Sequence, residues 1–277
     1  MTGVDRARVV MASIPGWAGR DVDITPLSGG LTNRTFLVNW GAERRVLRLA
    51  AEPDPAGIRD AELEVRIQQT AARHGLAAAI EYADPAARVL LTEWLPGTTW
   101  DAGALRDRAN LRRIAGLLHR LHALPRCGVA YDATAAAQHY LDAIAEQGPV
   151  SDTARRCLRI IEEAPASHAP RCCHNDLVAG NIVVGERLAL LDFEYARDNE
   201  PLFDLATLIG WHDLDERTAR YLLDAYTGGA DGTAHDRLAA ERRRFDAIQY
   251  LWLAHRQGVQ GGTDEARRLV VVAERLY

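Results

Sequence analysis

The stretch "CCHNDLVAGNIVVGERLALLDFEY", residues 172–195, places His174, Asp176, Asn181, Asp192 and Glu194 around two short apolar runs. The runs "NIVV" and "LALLD" read as two strands of a hairpin, too short and too well bounded by polar residues for helices. Such a hairpin brings Asn181 and Asp192 together at one end. An amide oxygen and a carboxylate are hard ligands, suited to Mg²⁺, which takes few protein ligands and completes its shell with phosphate oxygens and water. Asp176, upstream on the H-x-D-x-x-x-x-N loop, is placed to accept a proton from an attacking hydroxyl. Acceptor groups cluster in this way where a metal and an alcohol must be held in line with a phosphate.

A phosphate also needs donors. "LSGGLTNR" (27–34) is a strand-ended loop whose Gly29 and Gly30 allow backbone N–H groups to approach anionic oxygens. It is not a G-x-x-x-x-G-K-[ST] loop, which excludes a Walker-type site. All 33 cationic side chains are arginine, so any phosphate-binding or Schiff-base task assigned to lysine must pass to arginine or be dropped. Arg48, in the strand "VLRLA", stands where a phosphate-pairing cation belongs. Glu62 and Glu64 on the following helix are its candidate partners, with Glu64 preferred.

The chain has 277 residues, enough for a sizeable core in one large or two modest domains. Its formal net charge of −5 argues against a general nucleic-acid binder. Cys127, Cys157, Cys172 and Cys173 form no C-x-x-C pair and read as buried reduced thiols of a cytoplasmic protein. No signal peptide and no apolar run of membrane-spanning length is expected.

Strands around one helix are expected over the first ninety-odd residues, with a helix at "IRDAELEVRIQQTAARHG" and a strand at "RVLLTEWL". After "LPG" (95–97) the pattern turns helical. "LRRIAGLLHRLHALP" puts Leu111, Ile114, Leu117, Leu118 and Leu121 on one face, helices follow near 134–147 and 152–163, and the chain from about 203 on is helical. The expected organisation is an N-terminal nucleotide-binding lobe at 1–95 with a hinge at 92–97, and a helical lobe at 96–277 for catalysis and substrate.

The chain resembles the choline/ethanolamine kinase family and, more widely, the aminoglycoside-phosphotransferase-like kinases. The matching pieces are "LSGGLTNRTF", "VLRLA", "LLTEWLPG", "LHRLHAL", "CHNDLVAGNIVV", "LLDFEYARDNEPLFDLATL" and "YLWLAHRQ". The resemblance implies an α+β, two-lobed protein-kinase-like fold with a small antiparallel sheet and a mainly helical second lobe. It implies ATP and Mg²⁺ as cofactors and a small cationic alcohol as substrate, choline first and ethanolamine second. On this reading Asp176 is the catalytic base, Asn181 and Asp192 hold Mg²⁺, Arg48 pairs with ATP phosphates, and Glu64 holds Arg48. Ser28, Gly29, Gly30, Thr32 and Asn33 form the phosphate loop, and Thr92, Glu93, Trp94 and Leu95 accept adenine at the hinge. His174 and Asp204 brace the catalytic loop. The run "ARDNEP" after "DFEY" lacks the aromatics of animal choline kinases, so a cage must draw on Tyr195, Trp211, Tyr250 and Trp252, with Glu194 facing the substrate's charge.

Blander readings compete. Gly29-Gly30 also suits an ordinary hairpin turn, Trp211, Tyr250 and Trp252 also suit a core, and Glu194 also suits a structural hydrogen bond. His119 and His122, three apart, read as solvent-facing or capping rather than as metal ligands. Thiamine, a quaternary cation with a primary alcohol, is the alternative substrate. An aminoglycoside is less fitting, because "ERRRFDAIQYLW" is mixed and aromatic rather than acidic. From other classes, a metal-dependent hydrolase using His174, Asp176 and Asp192 would leave the glycine loop without a task, and a pseudokinase would not need Asp176, Asn181 and Asp192. Oligomeric state is not legible.

Overall fold

A computed structural model describes residues 2–27, 33–50, 59–165, 167, 169–229, 231–260 and 262–277. In chain order the elements are α1 (Gly3–Ser13), β1 (Asp23–Leu27), β2 (Asn33–Trp40), β3 (Glu43–Ala50), α2 (Ala61–Arg73), β4 (Ile80–Asp84), β5 (Val89–Glu93) and β6 (Thr98–Thr99). Next come α3 (Arg108–His122), α4 (Ala133–Gln147), α5 (Asp152–Glu162), β7 (Arg171–Cys173), β8 (Ile182–Val184), β9 (Leu188–Leu190) and β10 (Arg197–Asn199). The chain ends with α6 (Leu202–Trp211), α7 (Glu216–Thr227), α8 (Gly232–Gln260) and α9 (Thr263–Arg275). Two compact units result, Met1–Asp101 with Gly180–Tyr195, and Ala102–Ala179 with Ala196–Tyr277.

In the first unit β1 to β5 form one antiparallel sheet in the order β1-β2-β3-β5-β4. Alternation along β2 buries Phe36 and Val38, and Leu47, Leu49, Val89 and Leu91 join them from β3 and β5. The other side of this core is α1, with Ala7, Met11 and Ile14. The sequence reading has no helix here. Its signal was Thr2 followed by Asp5, which form a capping box in which each side chain accepts from the other's backbone N–H. The short strand β4 was likewise not foreseen.

The hairpin of the decisive stretch packs with this unit. β6 pairs with β8, Trp100 N–H donates to Ile182 O, and Leu190 N–H donates to Leu76 O. The contact is tight at Gly97 and Gly185. A Cβ on Gly97 would lie 2.2 Å from Val184 O, and one on Gly185 would lie 2.0 Å from Pro96 O. The sequence boundary at 95–97 assigned this hairpin to the helical lobe; its hydrogen bonds tie it to the sheet-bearing unit instead.

The second unit is helical around the two-stranded pair β7–β10. The apolar face of α3 buries Leu111, Ile114, Leu117, Leu118 and Leu121, and α6 is buried along nearly its whole length. Among the described residues no helix is long and apolar enough to cross a membrane.

Candidate active site

Arg48 is the centre of the first unit's site. It sits on β3, opposite Leu90 of β5. Its guanidinium donates from Nη2 to Glu64 Oε2 at 2.5 Å and from Nη1 to Asp192 Oδ1 at 2.6 Å. Helix α2 supplies Glu64 because Leu63, Ile67 and Ala71 turn that face inward; Glu62 is exposed. Burial works against the Arg48 charge, but Glu64 and Asp192 outweigh it and hold its pKa above the ordinary value. Burial pushes the Glu64 carboxyl up, with Arg48 opposing.

Asp192 follows β9 with φ of 62°, a left-handed conformation that aspartate tolerates better than most side chains. Leu191 N–H donates to Asn181 O at 2.8 Å, so Asn181 and Asp192 flank the same end of the β8–β9 hairpin. A carboxylate and an amide oxygen at one hairpin end are the donor types that Mg²⁺ takes. Glu194 is buried. It accepts from Asn33 Nδ2 at 3.0 Å and lies 3.7 Å from Arg59 Nη1. Burial and the neighbouring Asp192 raise its carboxyl. A cation it faces within its unit is thus Arg59. Arg48, Arg59, Glu64 and Glu194 line one cavity with Asp84 and Arg88. Ser28, Gly29, Gly30 and Thr32 lie outside the described residues. Of the hinge residues, Thr92 is buried, Trp94 and Leu95 are half-buried, and Glu93 accepts from Ala79 N–H through Oε1.

In the second unit the loop after β7 carries His174 and Asp176. Asp204, fully buried in the first turn of α6, accepts from His174 N–H at 2.9 Å and from Asn175 N–H at 2.7 Å. His122 Nε2 is a third partner at 3.0 Å, and His122 Nδ1 meets the Tyr226 hydroxyl at 2.8 Å. Burial alone would raise Asp204, yet the His122 hydrogen bond, with the backbone donors, holds it below the usual carboxylate range. With Nε2–H donating to the carboxylate, Nδ1 is left to accept from the Tyr226 hydroxyl, a pairing that suits one neutral tautomer of the imidazole. The loop is thus braced by Asp204, the His174 backbone and His122, whereas the sequence reading gave His122 a surface role. The missed signal was helical register: His122 is four residues after Leu118, on the buried face of α3.

Asn175 stands at φ of 64° and is clamped by its side chain, which donates to Arg197 O at 3.3 Å and accepts from Asn199 Nδ2 at 2.8 Å. Downstream, Ala179 N–H donates to His212 Nε2 at 2.9 Å. Burial and Arg268 push the His212 pKa down to about 4, so the ring stays neutral and accepts. The loop is pinned on both sides of Asp176, which is half-buried. Cys173, His122 and Asp204 lie close together; the Cys173 thiol donates to Asn199 O and burial pushes its pKa well up.

The expected cage is only partly assembled. Trp211 and Trp252 meet edge to face with centroids 6.0 Å apart. Arg268 lies over the Trp211 ring at 5.6 Å and Arg256 over Trp252 at 5.0 Å. Tyr250, two residues before Trp252, points to the other side of α8, where its hydroxyl meets Ser151 Oγ at 3.3 Å. Tyr195 belongs to the first unit.

The sequence profile described as "Phosphotransferase enzyme family" matches residues 23–240. The LicA protein of Haemophilus influenzae is 27% identical over 243 residues, covering 81% of this chain and 70% of the relative. A thiamine kinase of Shigella boydii serotype 4 is 27% identical over 213 residues, 74% of this chain and 71% of the relative. The structure of choline kinase LicA from Streptococcus pneumoniae superposes with a TM-score of 0.81 at 19% identity, over 98% of this chain and 99% of that one. This likeness shows a shared fold, the α+β arrangement of an antiparallel sheet and a helical part.

Proposed function

The chain belongs to the phosphotransferase enzyme family, and from that premise we propose that it is an ATP- and Mg²⁺-dependent kinase of a small cationic alcohol. The observation that carries this is Arg48 held between Glu64 and Asp192. A guanidinium fixed by a buried helix glutamate and reaching a candidate metal ligand is the charge arrangement a nucleotide triphosphate needs. In this reading Arg48 donates to phosphate oxygens while Glu64 holds its fork in place. Asn181 and Asp192 would hold Mg²⁺, which neutralises charge developing on the transferred phosphoryl group. Asp176, on a loop fixed by Asp204, His122 and His212, takes the proton of the acceptor hydroxyl. Thr92 to Leu95 present backbone groups to adenine. The first unit is the nucleotide-binding part and the second supplies the base and the acceptor pocket.

For the acceptor, the relatives support choline, ethanolamine or thiamine, each carrying a cationic nitrogen and a primary hydroxyl. Mg²⁺-ATP turnover with choline, ethanolamine, thiamine and an aminoglycoside tests the proposal. We expect metal-dependent phosphorylation of at least one of the first three. Hydrolysis of phosphoesters without transfer to any alcohol would point to the hydrolase reading and sink the kinase one.

A further inference from the structure

The run "ARDNEP" (196–201) buries four polar residues in a row, Arg197, Asp198, Asn199 and Glu200, none more than 6% exposed. Burying polar groups is costly unless each is hydrogen-bonded. Asp198 accepts from the Cys127 and Gly128 N–H groups, both at 2.9 Å. Glu200 accepts from Arg237 and from the Ser167 hydroxyl. Asn199 faces the loop that carries Asp176, and its amide is one link in a directed chain. Arg244 of α8, itself buried, donates from Nη2 to Asn199 Oδ1 at 2.7 Å. Asn199 Nδ2 donates to Asn175 Oδ1 at 2.8 Å, and Asn175 Nδ2 donates to Arg197 O at 3.3 Å. Arginine only donates and a carbonyl only accepts, so the two ends of the chain fix the orientation of both amides between them. The Glu200 N–H, which also donates to Asn199 Oδ1 at 2.8 Å, enforces the same orientation.

Arg244 is held in turn. Its Nη2 lies 2.8 Å from Glu241 Oε2, one turn earlier on α8, and its guanidinium stands 4.7 Å from the centre of the Phe203 ring. At the other end of the chain, Asn175 has φ of 64° and gives its own N–H to Asp204. Left-handed backbone is sparsely populated outside glycine and persists where the surroundings enforce it. Release of the Asn175 side chain would let φ return to negative values and swing the peptide that leads into Asp176.

We propose that Arg244, acting through Asn199 and Asn175, is a positioning residue for the Asp176 base. The inference rests on the kinase reading above and deepens it. It assigns a catalytic consequence to a buried arginine that lies far from the base in sequence.

The experiment compares the wild type, Arg244→Met, Arg244→Lys, Asn199→Leu and the Arg244→Met/Asn199→Leu double variant. Steady-state kinetics with the alcohol that the wild type phosphorylates is paired with amide hydrogen exchange of the nucleotide-free protein. Arg244→Met and Asn199→Leu should each lower kcat about tenfold, with both KM values within about twofold. The double variant should fall no further than either single, because the two residues act in series. Arg244→Lys keeps a donor-only cation opposite Asn199 Oδ1 and should hold kcat within about threefold of the wild type. The Asn175 amide should exchange about tenfold faster in Arg244→Met, while amides of α3 keep their rates. Losses that multiply in the double variant, KM values that rise in place of a falling kcat, or a wild-type kcat in Arg244→Met would overturn the inference. So would exchange that quickens equally across the helical unit, the mark of general destabilisation. Burial already pushes the Glu241 carboxyl up to about 7, so it can take a proton once Arg244 is gone, and Arg244→Met should fold. Should Arg244→Met fail to fold, Asn199→Leu set against Arg244→Lys decides: a kcat loss in the first alone supports the chain, and equal kcat in the two refutes it. If the wild type transfers phosphate to no alcohol, the kinase reading fails, and exchange at Asn175 alone then decides, faster in Arg244→Met if the brace is real and unchanged if it is not.

Discussion

The charged cluster around Arg48 and the aromatic seam around Trp252 were built by different rules. In the first, Glu64 and Asp192 reach Arg48 at 2.5 and 2.6 Å from a helix and a hairpin end, each set by local sequence. In the second, Trp211 and Trp252 meet where α6 and α8 pack closely at Gly210. The cluster is redundant in charge, and its buried Glu64 Oε1 and Asn33 Oδ1 have no hydrogen-bond partner among the described residues. The seam has arginines over its rings. On the proposed reading, phosphoryl chemistry depends on the first kind of region and acceptor choice on the second, so substitutions in the two should separate cleanly in kinetics.

The sharpest separation is expected at Asp176. Asp176→Asn should lower kcat by roughly 10²–10⁴-fold, the usual share of a general base, with ATP affinity nearly unchanged. Near wild-type kcat at saturating substrates would remove Asp176 from the base role. Glu64→Gln comes next. It takes one partner from a guanidinium whose side chain is 15% exposed while Asp192 remains, so a stability loss of about 2 kcal/mol is expected, below the range for a wholly orphaned buried charge. KM for ATP should rise with it and KM for the acceptor should not, measured by denaturant unfolding and steady-state kinetics. An acceptor KM that moves in parallel would break the distinction between the regions.

His122→Phe probes a residue of the helical unit that, on the proposed reading, serves the chemistry rather than acceptor choice. Asp204 loses its Nε2–H donor and Tyr226 its acceptor, and kcat should fall about tenfold for a loss near 1.4 kcal/mol with both KM values steady. A change in acceptor KM alone would place His122 in the pocket. The smallest contrast lies on α8. Trp252→Ala should raise acceptor KM roughly 2- to 30-fold, one ring's worth of contact, whereas Tyr250→Phe should leave it unchanged because its hydroxyl meets Ser151 at the start of α5. Equal effects of the two would restore the four-ring cage.

The cluster was legible in the sequence and the seam was not, for a physical reason. Asn181 and Asp192 share a hairpin end because strand pairing has a fixed register, and the Glu62–Glu64 choice follows from which α2 positions are apolar. The phosphate loop was quoted from the sequence, though Ser28, Gly29, Gly30 and Thr32 lie outside the described residues. Tyr250 and Trp252 were grouped by nearness in sequence, although two residues on a helix point about 200° apart. The same periodicity, applied to α3, would have put His122 on the buried face. Arg59, which stands 3.7 Å from Glu194, lies 135 positions earlier in the chain, beyond what spacing can show. Helix α1 was missed although its capping box is written in Thr2 and Asp5.

The central claim is that Asp192, beside Arg48, joins the metal to the nucleotide. It is tested most directly by calorimetric titration of ATP into the wild type and Asp192→Ala, with and without Mg²⁺. The account predicts that Mg²⁺ tightens ATP binding to the wild type by about tenfold or more, and that Asp192→Ala loses this increment while its metal-free affinity stays within a few-fold. An Asp192→Ala protein that keeps the full Mg²⁺-dependent gain would contradict it.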